Sequence, residues 1–387
     1  DCEREPLRFL DEYAELKWTS RRCATDVRCS PHQRELFLAA YGARANPALS
    51  DAEGCLLVWN LAMRGRPELA FTCSSAVLTA QFHRYEPAIF FGGTQAGGVV
   101  LWDARAKREP VLRSPASGSR HTHPVQAMQQ VGSRNASNLI TASSDGRLCR
   151  WSTAMLSAPQ ESIDLKYESS KSRRELAVMS LSFTDGDTNT LYVGAEDGAV
   201  CQVHIHGQKS GITEMFEGHE GPVTGVHMHP TTDTQFSLTQ SDAMKSLALS
   251  ASFDWSVKLW DVKQHRHPIL SFDCYEDYVC DAKWHPLHPA TFAAVDCEGH
   301  VDLWNLCESV EAPAMRTENP GQRRLAMSHC DWSGDGRLLV TGDSEGAVSV
   351  FAADRSLTEP RGQDIVSFQE KVRQMRPVVP RRQAERH

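Results

Sequence analysis

The sequence predicts an all-β protein that folds as a seven-bladed propeller. Two observations support this prediction. An apolar strand ends in a bulky residue seven times, and the intervals between these residues are 43 to 57 positions. A turn residue precedes the bulky residue by five positions in every copy. A constant register inside a period of about 40 to 50 residues is typical of propeller blades, because a single blade cannot bury its own apolar faces.

The repeated unit is a short turn followed by the third strand of each blade. Six turn positions hold glycine and one holds tryptophan: Gly54, Gly97, Gly146, Gly198, Trp255, Gly299 and Gly346. The bulky residues that end the third strands are Trp59, Trp102, Trp151, Val203, Trp260, Trp304 and Phe351. Short apolar runs such as Leu247-Ala248-Leu249 precede the turns and predict second strands that are buried between neighbouring blades.

These repeats divide the chain into three parts. We assign residues 1–21 to a connector at the end of a longer N-terminal region and residues 22–352 to the propeller. Residues 353–387 form a partly basic tail in which we expect disorder. The strand that completes the last blade has two candidates, residues 364–368 in the tail and residues 7–10 near the start. The sequence leaves this choice open.

The fifth copy is the most complete and resembles a WD40 blade. In WD40 blades a buried hydrogen-bonded tetrad ties the outer loop to the inner turn. The resemblance implies that His219, Asp254 and Trp260 belong to such a tetrad together with either Ser250 or Ser252. A histidine, an aspartate and a serine would also suit a hydrolase. We favour the structural interpretation because the residues fall at the expected places of a repeat.

The composition argues against several classes of function. Of the 387 residues, 41% are hydrophobic and 23% are charged, which is ordinary for a globular domain. The formal net charge of -8 argues against a nucleic-acid partner, since phosphate binding needs clustered basic residues. No apolar run approaches the roughly 18 residues that span a membrane. The 12 cysteines lack disulfide-framework spacing, so we predict reduced thiols in a cytosolic protein.

No motif indicates catalysis or cofactor binding. The sequence has no phosphate-binding glycine loop and no nucleophile elbow, so we predict no catalytic residue and no cofactor. The strand starts that would line the central channel are mostly Val, Ala, Thr and Ser, which also argues against an enzyme. Four His-x-His pairs lack a further ligand at zinc-like spacing, so we predict no metal site: His121/His123, His204/His206, His227/His229 and His265/His267.

Phe253 and Trp255 flank Asp254 in the fifth turn. WD40 geometry would place this turn on the top face of the propeller, where an aromatic pair is costly to leave in water. We predict that Phe253 and Trp255 anchor a partner protein, because aromatic residues dominate interface hot spots. The alternative, in which Trp255 folds onto an adjacent loop, stays open.

Several segments closely resemble the dynein intermediate chain family, in its cytoplasmic form. They are residues 138–146, 155–162, 216–225, 252–260 and 285–290. The Leu-Ser-x-Pro-Gln-Glu-Ser linker within residues 156–162 is not general to WD40 blades, so the similarity goes beyond the fold. The segment 230–243 and the tail after Ala352 depart from the family pattern.

The resemblance implies a non-catalytic motor subunit. In this family the propeller binds the tail of the dynein heavy chain, and an N-terminal region carries the light chains and the dynactin contact. The resemblance therefore implies two copies in a larger microtubule-associated complex in the cytoplasm, which supports motor assembly and cargo attachment. The alternatives are an axonemal intermediate chain and a general WD40 interaction scaffold.

Overall fold

The computed structural model describes residues 5–48, 51–115, 120–169, 172–207, 210–230, 244–318, 324–358 and 362–375. Within these residues the strands form seven four-stranded antiparallel sheets and one separate two-stranded ribbon. The first strands of the sheets pack in a closed circle, so that each sheet contacts the next one and the seventh contacts the first. The predicted seven-bladed β-propeller is confirmed.

The elements follow one another in a regular order. Strand β1 (Leu7–Tyr13) and the short helix α1 (Leu16–Thr19) come first. Blade 1 contains β2 (Ala24–Cys29), β3 (Leu36–Tyr41), β4 (Gly54–Asn60) and β5 (Leu69–Cys73). Blade 2 contains β6 (Val77–Phe82), β7 (Ile89–Thr94), β8 (Val99–Asp103) and β9 (Leu112–Arg113). Blade 3 contains β10 (Val125–Ser133), β11 (Ala136–Ser143), β12 (Arg147–Ser152) and β13 (Glu161–Asp164).

A two-stranded ribbon separates blades 3 and 4; its strands are β14 (Lys166–Ser169) and β15 (Ser172–Glu175). Blade 4 contains β16 (Val178–Phe183), β17 (Thr190–Ala195), β18 (Ala199–His204) and β19 (Gly211–Glu217). Blade 5 contains β20 (Val223–Met228), β21 (Leu247–Ser252), β22 (Ser256–Asp261) and β23 (Leu270–Phe272). Blade 6 contains β24 (Val279–Trp284), β25 (Thr291–Asp296), β26 (His300–Asn305) and β27 (Met315–Glu318).

Blade 7 is built from both ends of the chain. It contains β28 (Met327–Trp332), β29 (Leu338–Asp343), β30 (Val348–Ala353) and, as its outer strand, β1. The helices α2 (Arg355–Thr358) and α3 (Gly362–Gln374) follow. Among the described residues no helix is long and apolar enough to cross a membrane.

The core lies between the blades. The seven bulky residues that end the third strands are completely buried, including Val203 and Phe351 in the blades that lack tryptophan. The second strands are almost fully buried as well, and every residue of β21 and β25 is buried. Each blade thus covers its neighbour, which is why the apolar faces predicted from the sequence need a closed ring.

The structure decides between the two candidates for the closing strand. Strand β1 pairs antiparallel with β30, from Leu7 opposite Ala353 to Tyr13 opposite Val348. Leu7 packs into the core of blades 6 and 7, whereas Tyr13 packs against Phe37 and Trp59 of blade 1. The boundary that the sequence analysis drew at residue 22 therefore leaves out a strand of the ring.

The tail candidate, residues 364–368, is helical. In α3 the side chains of Ile365, Phe368 and Val372 face the core of blades 5 and 6, and Phe368 is fully buried there. Lys371 donates through Nζ to the carbonyl oxygens of Leu306 and Cys307, at 3.1 and 2.6 Å. Part of the predicted tail is therefore an ordered helix, while residues 376–387 lie outside the described residues.

Candidate protein-interaction surface

One face of the propeller carries most of the residues singled out from the sequence. The turns between second and third strands lie at the same edge of the blades as the connections into the next first strand, because neighbouring strands run in opposite directions. We call this side the turn face. His219, Asp254, Trp255 and Tyr278 all lie in these turns and connections.

The fifth blade contains a hydrogen-bonded tetrad of the expected composition. His219 Nδ1 lies 2.7 Å from Asp254 Oδ2, and His219 Nε2 lies 2.6 Å from Ser250 Oγ. Trp260 Nε1 donates to the same Ser250 Oγ at 2.7 Å. Ser250 is therefore the serine of the tetrad. Ser252 instead donates to Gly221 O at 3.0 Å and accepts from the Asp254 amide at 3.2 Å, so it braces the turn.

Blade 3 contains a second tetrad that the sequence analysis missed. His121 Nε2 lies 2.8 Å from Thr141 Oγ1, which also accepts from Trp151 Nε1 at 2.9 Å. His121 Nδ1 faces Asp145 Oδ1 at 3.4 Å. Threonine takes the place of serine here. The sequence contains the pattern that predicts this tetrad. His121, Thr141, Asp145 and Trp151 follow one another in the same order as the four tetrad residues of blade 5.

The tetrad aspartates are ionised inside the protein. Burial alone would raise the pKa of Asp254, but hydrogen bonds from His219, Ser256 and the Glu220 amide outweigh it and lower the pKa below the ordinary value. The pKa of Asp145 is lowered in the same way, with burial opposed by the hydrogen bond to His121. Burial also lowers the pKa of His219, so that this ring stays neutral. Both ring nitrogens of this buried histidine are occupied by hydrogen bonds within the tetrad, which indicates a structural role.

We expect the Asp254 carboxylate to stabilise the propeller only above about pH 4. A lowered folded-state pKa means that the stabilisation is complete above the unfolded value, near 3.9, and is lost as the pH falls below it. Asp254→Asn should therefore reduce the free energy of unfolding by about 1 to 2 kcal/mol at pH 7. The difference from wild type should shrink between pH 4 and pH 2. Urea unfolding at several pH values measures it.

The matched control is Glu345→Gln, which neutralises an exposed acid in the turn of blade 7. This variant should unfold like wild type at every pH. A difference between Asp254→Asn and wild type that stays constant down to pH 2 would show that the carboxylate charge is not what stabilises the turn.

Trp255 has an unusual backbone conformation. Its φ is 66°, in the left-handed region that glycine favours. The equivalent positions in five other blades are glycines with φ between 74° and 89°: Gly97, Gly146, Gly198, Gly299 and Gly346. Gly54 differs, because it begins β4 and is required by close packing; a Cβ there would lie 2.2 Å from Ser75 O. A tryptophan in the left-handed region costs about 1 kcal/mol or more relative to glycine.

Three aromatic side chains in and beside this turn are partly exposed. Trp255 is 49% exposed, Phe253 36% and Tyr278 46%. The rings of Phe253 and Tyr278 lie 4.8 Å apart between centroids, which joins the turn of blade 5 to the connection that enters blade 6. Trp255 is thus about half exposed to solvent. We call Phe253, Trp255 and Tyr278 the aromatic patch.

Acidic side chains surround the aromatic patch. Glu220 and Glu276 are exposed, and Asp277 and Glu298 are partly exposed. The Glu220 amide donates to Asp254 at 3.1 Å, and the Cys297 amide donates to Tyr278 O at 2.9 Å, so both acidic segments touch the patch. Among the described residues, Glu220, Glu276 and Asp277 form no ion pair with lysine or arginine. This part of the turn face therefore presents apolar rings in a negative field.

The central channel differs from the expectation based on strand starts. All seven blades line a cavity of about 370 Å³ at the end of the channel opposite the turn face. The fifth residue of every first strand is polar: Arg28, Gln81, Gln129, Ser182, His227, Lys283 and Asp331. The prediction considered the first residues of these strands and missed the polar ring farther along.

This polar ring joins neighbouring blades by hydrogen bonds. In five blades the fifth side chain accepts from the amide of the sixth residue in the next first strand. Four of these bonds run from the amides of Phe183 to Gln129 at 3.3 Å, Met228 to Ser182 at 3.0 Å, Trp284 to His227 at 3.0 Å and Cys29 to Asp331 at 2.8 Å. The fifth runs from the Gln130 amide to the side-chain oxygen of Gln81 at 3.0 Å, with the Gln81 side-chain amide oriented so that both its oxygen and its nitrogen are hydrogen-bonded.

Arg28 and Lys283 cannot accept a hydrogen bond, and an aspartate two residues earlier replaces each of them. Asp26 accepts from the Ala80 amide at 3.0 Å, and Asp281 accepts from the Cys330 amide at 3.4 Å. The same aspartates pair with the cations, Asp26 with Arg28 at 3.2 Å and Asp281 with Lys283 at 3.5 Å. The polar channel residues thus bond blade to blade, which gives them a structural role.

The histidine pairs have other partners. His121 belongs to a tetrad, His227 accepts the Trp284 amide, and His229 lies 2.9 Å through Nε2 from Pro289 O. Burial lowers the pKa of His229 to about 4. Within the described ranges no group of three or more His, Cys, Asp or Glu side chains could hold a metal ion.

Comparisons with known proteins agree with this geometry. The family model described as PAC11 dynein intermediate chain matches residues 166–318, which include blades 4 to 6 and the aromatic patch. The cytoplasmic dynein 1 intermediate chain of Drosophila melanogaster is 38% identical over 354 residues, which cover 91% of this chain. The chain is similar to dynein intermediate chains over most of its length.

The similarity to dynein intermediate chains covers most of this chain but only part of the relative. The chain spans about half, 51%, of the Drosophila protein. The family match and the propeller agree with the resemblance that the sequence motifs indicated.

Proposed function

We propose that this propeller is the non-catalytic part of a dynein intermediate chain that binds the tail of the dynein heavy chain. The observation that supports the proposal most strongly is the 38% identity to the Drosophila cytoplasmic dynein 1 intermediate chain over 91% of this chain. In this role the ring holds the heavy-chain tail in the motor assembly. It supports attachment of cargo and adaptors for transport along microtubules in the cytoplasm.

The construction of the ring suits a binding platform. Hydrogen bonds link the first strands of neighbouring blades around the channel, and β1 ties blade 7 to blade 1. A rigid surface loses little conformational entropy when a partner binds, so more of the contact energy appears as affinity. We assign the contact to the turn face, with Phe253 and Trp255 as anchors.

The buried polar groups support a role without catalysis. The pairs His219–Asp254 and His121–Asp145 belong to tetrads whose remaining hydrogen bonds go to Ser250, Thr141 and the tryptophans. The channel carboxylates Asp26, Asp281 and Asp331 hold backbone amides of neighbouring blades. The dynein light chains and dynactin would bind outside the propeller, through the N-terminal region of the whole subunit, in an assembly with two copies.

Co-elution of this chain with the purified heavy-chain tail on a sizing column tests the proposal. We expect a stable complex at low salt that persists, with lower affinity, at high salt. Trp255→Ala should weaken binding by about 2 kcal/mol, which is roughly 30-fold in Kd, and should leave the Tm nearly unchanged.

A folded chain that fails to bind the tail at either salt concentration would contradict the proposal. The general WD40 scaffold would then be the better interpretation. Preferential binding to a tail from axonemal dynein over a cytoplasmic one would instead indicate the axonemal form.

A further inference from the structure

The aromatic patch is maintained at a cost to the fold. Trp255 has the left-handed backbone conformation that glycine adopts in five of the six equivalent turns. The sixth equivalent, in blade 1, is a glycine with a different conformation. Its ring gains little inside the propeller, because half of it is exposed. Phe253 and Tyr278 likewise bury each other incompletely. A side chain that strains the backbone and remains in solvent points to a ligand outside the chain.

The charge around the patch selects the chemistry of that ligand. Glu220, Glu276, Asp277 and Glu298 lie in the turns and connections next to the rings, and none of the described lysines or arginines forms an ion pair with them. The whole chain has a formal net charge of -8. A second copy of this chain, a nucleic acid and an anionic membrane would all be repelled by such a surface. A cationic partner would be attracted.

The backbone around the patch selects the form of the ligand. Strands end at the turn face, and the free edges of the four-stranded sheets lie along the channel and the circumference, so the described strands offer no unpaired edge beside the rings. An added strand could not pair here. An amphipathic helix satisfies its own backbone hydrogen bonds and can lay the apolar side chains at i, i+3, i+4 and i+7 across exposed aromatic rings.

We propose that the aromatic patch and its acidic rim are a docking site for a basic amphipathic helix of a partner protein. The apolar stripe of the helix lies across Trp255, Phe253 and Tyr278, and its lysines and arginines face Glu220, Glu276 and Asp277. This inference rests on the proposed function only in taking the propeller to be a binding module. It names the class of segment that the turn face accepts.

Fluorescence polarisation with a labelled synthetic helix tests this site. The probe is a peptide of about 18 residues, or five turns, with leucine at i, i+3, i+4 and i+7 and lysine or arginine elsewhere. The matched probe has glutamate in place of the basic residues. We expect saturable binding of the basic peptide and none of the acidic one at the same concentrations.

Three variants locate the binding. Trp255→Gly should raise the Kd at least tenfold while the Tm is unchanged or higher, because glycine relieves the left-handed conformation. Glu276→Lys combined with Asp277→Lys should raise the Kd and flatten its dependence on salt. Met155→Ser removes an exposed apolar side chain from blade 3 and should leave the Kd unchanged.

The inference is overturned if the basic peptide does not bind, if the acidic peptide binds equally well, or if Trp255→Gly binds as tightly as wild type. Its failure is distinguishable from failure of the proposed function. A heavy-chain tail that binds wild type and Trp255→Gly equally keeps the motor role and moves it to another surface. A tail that does not bind, with peptide binding intact, removes the motor role and keeps the docking site.

Discussion

Deletion of residues 1–13 should lower the Tm of the propeller by roughly 10 °C or more and broaden its unfolding transition. The deletion removes the outer strand of blade 7 and with it two buried side chains, Leu7 and Tyr13. Each loss of this kind costs about 3 kcal/mol or more. Tyr13 also donates to Leu61 O at 3.0 Å, so the contact between blades 7 and 1 is lost as well. Differential scanning calorimetry measures the change.

The matched control is deletion of residues 376–387, which lie beyond α3. This truncation should leave the melting transition in place. Tyr13→Ala offers a milder test, because it keeps the strand and removes only the ring that reaches blade 1. Equal melting of all three variants and wild type would show that β1 does not close the propeller.

Asp281→Ala should destabilise the propeller by about 3 to 5 kcal/mol at pH 7. The side chain is 2% exposed, and it is the acceptor for the Cys330 amide and the partner of Lys283 and His329. Burial would raise the pKa of Asp281, but Lys283 and the hydrogen bond from His329 lower it below the ordinary value, so the group is ionised. Its removal leaves Lys283, 9% exposed, without its closest anion. Chemical denaturation gives the free energy of unfolding.

A second variant identifies the source of this effect. Asp281→Ala combined with Lys283→Met removes both charges, and it should recover a large part of the lost stability because no unpaired ammonium stays buried. If the double variant is as unstable as the single one, then the lost amide acceptor and the cavity, and not the buried charge, account for the destabilisation.

The sequence predicts most of the fold because the information lies within each repeat. A turn residue followed five positions later by Trp59, Trp102 or Trp151 is a local pattern, and it marks the third strand without knowledge of any neighbour. The choice between Ser250 and Ser252 is different. Both residues point to the same side of β21, so alternation cannot separate them, and only the distance to Trp260 Nε1 does.

The features that the sequence analysis missed depend on contacts between distant segments. The polar fifth residues of the first strands accept hydrogen bonds from backbone amides of the next blade. These donors and acceptors meet only when the ring is closed, so the sequence of one blade does not reveal them. Strand β1 shows little apolar–polar alternation, and only its end residues Leu7 and Tyr13 are buried, so its role follows from pairing with β30.

Helix α3 could have been found from the sequence. Ile365, Phe368 and Val372 have helical spacing, but Ile365-Val366 beside Phe368 also suits a short strand. In the structure the segment is a helix, and the carbonyl oxygens of Leu306 and Cys307 accept hydrogen bonds from its Lys371 side chain.

The position of β1 has a mechanical consequence. A pulling force applied at residue 5 along the direction of the strand would act in shear, because the paired residues from Leu7 to Tyr13 lie side by side with β30 and would be loaded together. Peeling the strand sideways would break the same hydrogen bonds one after another. Forced unfolding is governed by the rate of the first rupture. A chain that enters the ring through this strand can therefore transmit tension to the propeller before the ring opens.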